Sequence, residues 1–116
     1  DGADGHYCSL PGVPLEQMAG GSAFRDRYKA KFNTDIQLYA PYAYDAVWVV
    51  AEAMKQAGSV DTAKFLPALA ALNYPGLTAQ IQFDEKGDIK DGAITLYQAK
   101  GGTWSALETM GGKAPN

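Results

Sequence analysis

Few side chains in this sequence have the types and spacing that chemistry needs. His6, the only histidine, lies beside Cys8 and Ser9 in the run His6-Tyr7-Cys8-Ser9-Leu10. A hydrolytic nucleophile requires a base held next to it and a third group that orients the base, and no nucleophile motif surrounds Cys8 or Ser9. Cys8 is the single cysteine, which excludes an internal disulfide and any zinc site with two or more cysteine ligands. Asp84-Glu85-Lys86-Gly87-Asp88 gathers carboxylates, but the ligand spacing and closing glutamate of a calcium loop are missing, so the run reads as a polar turn. Gly20-Gly21-Ser22 lacks the spacing and the lysine of a phosphate loop. Arg25, Arg27, Lys29 and Lys31 are interrupted by Asp26 and by aromatics, the pattern of a solvated helix face. No catalytic residue, metal ligand set or cofactor site is expected, and the chain does not read as an enzyme.

The remaining concentration of functional groups is aromatic. Tyr39, Tyr42 and Tyr44 fall within six residues at the head of residues 39–58, the most apolar stretch of the chain. Pro41 suits the first helical position, where its missing N–H is unpaired in any case, and Asp45 places negative charge in the first turn. Lys55 and Gly58 supply the matching stop. At about 100° per residue, Ala46, Val47, Val49, Val50, Ala51, Ala53, Met54 and Ala57 form an arc roughly 200° wide, with Asp45, Glu52, Lys55 and Gln56 on the remainder. Tyr42 falls on the buried arc, and Tyr44 at its other edge can stack on Trp48 one turn on. Tyr39 precedes Pro41 in extended or turning backbone, which leaves its ring the freest of the three.

The elements that position these tyrosines follow from punctuation and period. Residues 6–10 make a short strand ended by Pro11-Gly12, and 13–18 a brief helical turn broken by Gly20-Gly21. Ser22 offers an N-cap for a helix to about Asn33, with Phe24, Tyr28 and Phe32 as an aromatic core edge. Asp61 caps a third helix toward Leu72, in which Pro67 predicts a distortion or break. Asn73-Tyr74-Pro75-Gly76 has turn chemistry, with glycine able to take positive φ. The alternation of 78–83 puts Ala79, Ile81 and Phe83 on one face of a strand. Gly101-Gly102 joins strands 94–100 and 103–107 into a hairpin, Ala99 facing Trp104, Tyr97 facing Ala106 and Leu96 facing Leu107.

At 116 residues with 47% hydrophobic and 20% charged residues, the composition is that of one globular domain. No run approaches the roughly 20 apolar residues of a membrane span, so no membrane insertion is expected. A net charge of -3 gives no electrostatic reason to bind nucleic acid. The start Asp1-Gly2-Ala3-Asp4-Gly5 has neither the basic nor the apolar part of a secretory signal and reads as a mature or internal start. What the sequence leaves over is incompleteness. The central helix is very apolar, the hairpin is apolar on both faces, the terminal strands have no evident partners, and the polar tail 111–116 is too short to cover them.

Three segments carry a resemblance: 24–32 (Phe-Arg-Asp-Arg-Tyr-Lys-Ala-Lys-Phe), 39–47 (Tyr-Ala-Pro-Tyr-Ala-Tyr-Asp-Ala-Val), and 74–88, with its Tyr-Pro-Gly-Leu-Thr and Phe-Asp-Glu-Lys-Gly-Asp. In order and spacing, across nearly the whole chain, they resemble the C-terminal third of the branched-chain amino acid solute-binding proteins of ABC transporters. The resemblance implies an α/β chain, a partial periplasmic-binding-protein fold of three helices, short strands and a C-terminal β-hairpin. Members are two-lobed, with three chain crossings, and close on one small ligand by a hinge motion. By that resemblance 1–10 and 93–116 belong with the second lobe and 11–92 with the first, and Ser9, Leu10 and Asp88 lie at the crossings. It further implies a periplasmic protein made with a signal peptide, an amino acid or similar small carboxylate as ligand, an ABC permease as partner, and an N-terminal two-thirds that holds most of the ligand. Tyr39 is the expected ligand contact, since the family places an aromatic near the ligand at the head of this helix. Ala79 stands where the family commonly has glycine, so the backbone there must avoid positive φ.

Two other readings stay open at this level. One is a self-associating fragment or scaffold without ligand affinity, a homo-oligomer that buries its hairpin and helix against copies of itself. The other keeps the binding fold as the sensory domain of a receptor.

Overall fold

The computed structural model describes residues 2–112. Its mixed α/β architecture has three helices and two small antiparallel sheets, as the sequence predicts. The first sheet consists of β1 (Tyr7–Pro11), β4 (Ile94–Lys100) and β5 (Thr103–Met110), in the order β1-β4-β5. β1 therefore does have a partner. Tyr7 lies opposite Gln98 and Pro11 opposite Ile94, a pairing between the two ends of the chain that no local pattern announces.

The β4–β5 hairpin turns on Gly101 (φ 59°) and Gly102 (φ 76°), the positive angles that match a tight connection to strand twist. Ala99 faces Trp104 and Tyr97 faces Ala106, as expected, but Leu96 faces Glu108. A bulge next to Tyr97 gives β5 one extra residue, Leu107, which remains exposed.

α1 (Gly21–Phe32) starts ahead of the expected Ser22 cap: Gly20 is the cap, in left-handed conformation at φ 79°. Gly21 is required there because a Cβ would lie 1.9 Å from the Leu15 carbonyl oxygen of the short 3-10 turn Leu15–Gln17. Along α1, Phe24 is buried against Tyr44, ring centroids 5.0 Å apart, whereas Phe32 is exposed. The aromatic edge is thus core only at its N-terminal end.

α2 (Ala40–Ala57) has Pro41 in its first turn and stops at Gly58 (φ 61°), whose N–H bonds the Lys55 carbonyl. Tyr44 meets Trp48 edge-on at 6.2 Å. The wide arc is corrected in two ways. Val49 and Ala53 are buried, but Val47 and Val50 are exposed, and Asp45, expected on the polar side, is among the most buried residues at 2% exposure. α3 (Thr62–Ala70) is capped by the Asp61 carboxylate, which accepts the Ala63 N–H at 3.0 Å. The helix passes through Pro67 unbroken and ends two residues short of Leu72. Pro67 can donate nothing to the preceding turn, but its own carbonyl still accepts the Ala71 N–H, and the turn around it is exposed to water.

The expected turn at 73–76 is instead a short strand, β2 (Asn73–Pro75), paired with β3 (Gln80–Gln82). Val49, Leu72 and Ile81 form the core between α2, α3 and this ribbon, with Leu69, Tyr74 and Phe83 packed on it. Ala79 takes no positive φ, and neither does Gly76. The polar turn at 84–88 closes on Asp84, whose Oδ1 accepts the N–H groups of Lys86 and Asp88.

Candidate functional site

Asp45 occupies its buried position because three donors surround it. Its Oδ1 accepts the Leu77 N–H at 2.8 Å, and its Oδ2 accepts the Thr78 N–H at 2.7 Å and the Thr78 hydroxyl at 2.6 Å. A carboxylate can be taken out of water when charge-assisted bonds replace hydration. The carboxylate also fills the space beside Gly76, where a Cβ would lie 2.7 Å from both Asp45 Oδ2 and Ile81 Cδ1. α2 is thereby latched to the loop between β2 and β3.

Next to this latch an apolar groove of about 550 Å³ opens between α2, the β2–β3 ribbon and the segments 11–12 and 92–93. Ala46, Val49 and Val50 form one wall, Ile81, Phe83 and Ile89 the other. The polar side chains that reach it are Tyr39, Tyr42, Asp45 and Thr78. The last two are engaged with each other, so the groove presents apolar surface and two phenols. It can bind, but it holds no nucleophile and base.

Tyr39 stands as the N-cap of α2 at the edge of this groove, 66% exposed. Tyr42, one turn further, lines the groove and also a second cavity of about 200 Å³ formed with Leu10, Leu15, Met18, Pro41 and Tyr97. Burial, with Tyr97 and Asp45 nearby, raises its phenol above the ordinary 10.0. It is therefore a neutral hydrogen-bond donor at pH 7, and its hydroxyl donates to the Pro11 carbonyl at 3.3 Å.

Gly12 is the point where the two passages between sheet and helices touch. Its N–H donates to the Ala93 carbonyl at 2.7 Å, and its carbonyl accepts the hydroxyl of fully buried Thr95 at 2.7 Å. Thr95 in turn shares a 2.8 Å hydrogen bond with Thr109 of β5. Gly12 has φ 87°, and a Cβ on it would fall 1.8 Å from the Tyr42 hydroxyl.

Of the other residues singled out in the sequence, Ser9 and Leu10 sit in β1 opposite Leu96 and Thr95. Asp88 lies in the turn after Asp84 and lines neither cavity. The His6 ring is turned back to the Ala3 carbonyl at 2.8 Å. Among the described residues no group of three His, Cys, Asp or Glu side chains comes together to hold a metal, and no helix is long and apolar enough to cross a membrane. Asp45 and Gly12 escaped the sequence reading. Their only signal was the coincidence of Tyr-Asp-Ala with a later Gly-Leu-Thr, and of Pro-Gly at a strand end.

The model of one protein family, described as periplasmic binding protein, matches residues 1–103. The chain belongs to the periplasmic binding protein family. A relative from Pseudomonas aeruginosa, the leucine-, isoleucine-, valine-, threonine-, and alanine-binding protein, is 35% identical over 98 residues, 84% of this chain and 26% of its own length. The fold is shared with a leucine binding protein from Thermotoga maritima, with a TM-score of 0.76 at 22% identity over 93% of this chain and 31% of that one. It is also shared with an ABC transporter solute binding protein from R. palustris in complex with benzoate, at a TM-score of 0.73 and 21% identity over 97% of this chain and 32% of that one. This periplasmic binding protein segment thus spans about a quarter to a third of the relatives it matches.

Proposed function

We propose that this chain is the C-terminal third of an extracytoplasmic solute-binding protein that delivers a branched-chain or related amino acid to an ABC permease. Residues 1–10 and 93–116 belong with the second lobe and 11–92 with the first, the stretch beyond Gly112 lying outside the described residues. The observation that carries the reading is the pair of passages at Gly12 and Ala93, bonded at 2.7 Å, between a three-stranded sheet and a helical block. Two hydrogen-bonded crossings between two blocks are what a clamshell hinge requires. The name of the Pseudomonas aeruginosa relative supports an amino acid with a small or branched apolar side chain as ligand.

In this reading the apolar groove is the seat of the first lobe's remaining core, contributed by the N-terminal two-thirds. Tyr39, at the groove's edge, meets the ligand with its ring and hydroxyl. Ser9, Leu10 and Asp88 belong to the crossings. No chemistry is performed, and binding energy drives closure.

Calorimetric titration of the whole protein with leucine, isoleucine, valine, threonine and alanine tests this. At least one should bind with a dissociation constant of about 1 μM, or roughly -8 kcal/mol. Tyr39→Ala should weaken that binding about tenfold, or roughly 1.4 kcal/mol. Failure of all five to bind overturns the amino acid reading, and an unchanged constant in Tyr39→Ala removes Tyr39 from the ligand.

A further inference from the structure

Gly12 is more constrained than a turn demands. Its N–H, its carbonyl and the space on its Cα are all used, by Ala93, Thr95 and Tyr42 respectively. The partners lie on different blocks: Thr95 belongs to the sheet, Tyr42 to the first turn of α2. A continuous chain of contacts therefore runs from Thr109 through Thr95 and the Gly12 carbonyl to the Pro11 carbonyl and the Tyr42 hydroxyl.

Tyr42 is the only member of that chain that comes from the helical block, and it lines both the groove and the second cavity. Rotation of the sheet about the passages must move Gly12 against this ring. Because the hydroxyl occupies the position of a Gly12 Cβ, the contact has no slack: the backbone can swing away from the phenol, but not through it.

We propose that Tyr42 is a positioning residue of the hinge, a stop that fixes the angle between the two blocks by holding the Pro11–Gly12 peptide with its hydroxyl. The proposal rests on the two-lobed reading above. Tyr42 touches no ligand in this role; it acts through the crossing. Tyr39 and Tyr42 share one turn of α2, so the residue at the cleft and the residue at the hinge are carried by the same rigid element.

The test uses the whole protein, with Cys8→Ser as background and spin labels at Glu85→Cys and Ser105→Cys, exposed positions in the turn at 84–88 and on β5. The distance between the labels is measured without ligand by pulsed electron paramagnetic resonance, and leucine affinity by calorimetry. Tyr42→Phe removes the hydroxyl alone. It should widen the ligand-free distance distribution and change the leucine dissociation constant about threefold to fivefold, the effect of losing one neutral hydrogen bond. Gly12→Ala should displace the distribution itself, because the new methyl and the phenol cannot share the site.

Tyr44→Phe, on the same helix but away from the crossing, should leave the distribution as it is. A distribution in Tyr42→Phe equal to wild type, or one that Tyr44→Phe widens equally, overturns the proposal. The ligand-free distances do not depend on which solute is bound. A protein that binds none of the five amino acids but shows the Tyr42→Phe widening therefore refutes the amino acid reading and upholds the hinge.

Discussion

Removing the Asp45 carboxylate should release the loop between β2 and β3 from α2. In Asp45→Ala the N–H groups of Leu77 and Thr78 and the Thr78 hydroxyl lose their acceptor at once. A hydrogen bond to a charged group contributes about 1.5–3 kcal/mol, and a buried donor left unpaired costs about 1–3 kcal/mol. The loop can rotate toward water and recover part of this, so the net loss is about 4 kcal/mol rather than the sum. Asp45→Asn retains one oxygen but turns an N–H₂ toward the other donors, and should lose about 2 kcal/mol. Thr78→Val removes the hydroxyl alone and should lose about 1 kcal/mol. Amide hydrogen exchange in the whole protein reads the effect locally. Exchange at Leu77 and Thr78 should accelerate by about three orders of magnitude in Asp45→Ala, the equivalent of 4 kcal/mol, while α1 amides stay protected. Acceleration below about tenfold at those amides would refute the latch, and Asp45 would then be a buried charge whose partners do not hold the loop.

Three further expectations follow from the same geometry. Gly76→Ala places a methyl 2.7 Å from the Asp45 carboxylate and the Ile81 side chain, and should lower the urea midpoint by the equivalent of about 2 kcal/mol; a neutral result would mean that the loop yields freely. Residues 1–116 alone expose Val47, Leu66, Trp104 and Leu107 and both sheet edges, and should elute as a dimer or larger species in size-exclusion chromatography with light scattering, whereas the whole protein elutes as a monomer; a monomeric fragment contradicts the exposed-face reading. Burial raises the phenols of Tyr42, Tyr74 and Tyr97 above 10.0 in the folded chain. Unfolding frees them to ionise at lower pH, so stability is unaffected well below pH 10 and falls as pH rises past it. Absorbance at 295 nm should show tyrosines that titrate late in the native protein and together once it is unfolded; a single native step near 10.0 would contradict their burial.

Much of the fold was legible because its signals are local. Pro41 and Gly58 bound the central helix, Asp61 caps the third, and Gly101-Gly102 sets a hairpin whose Ala99–Trp104 pairing follows from counting outward. Each depends on a few consecutive residues and on backbone angles that only those residue types adopt readily. Counting failed past Tyr97, where the extra residue Leu107 in β5 breaks the register. The turn chemistry of Tyr74-Pro75-Gly76 misled for a related reason: Gly76 is there to make room beside Asp45, not to supply positive φ. Tyr39 was legible as an exposed aromatic at a helix head because Pro41 marks the first turn and Tyr39 lies just ahead of it.

Local residue patterns were enough to place the helices and the hairpin, and the order and spacing of the Tyr-Asp-Ala, Gly-Leu-Thr and Phe-Asp-Glu-Lys-Gly-Asp runs to point to the chain's kinship. The burial of Asp45, the pairing of β1 with β4 and the contact of Tyr42 with Gly12 follow instead from how the whole chain packs. These contacts join residues 33 apart at Asp45 and Thr78, 31 apart at Tyr42 and Pro11, and 83 apart at Thr95 and Gly12. Helical period assigns a carboxylate to water on average, because a buried charge is costly. It is reversed when a distant loop arrives with three donors, and that arrival is set by the packing of the whole chain.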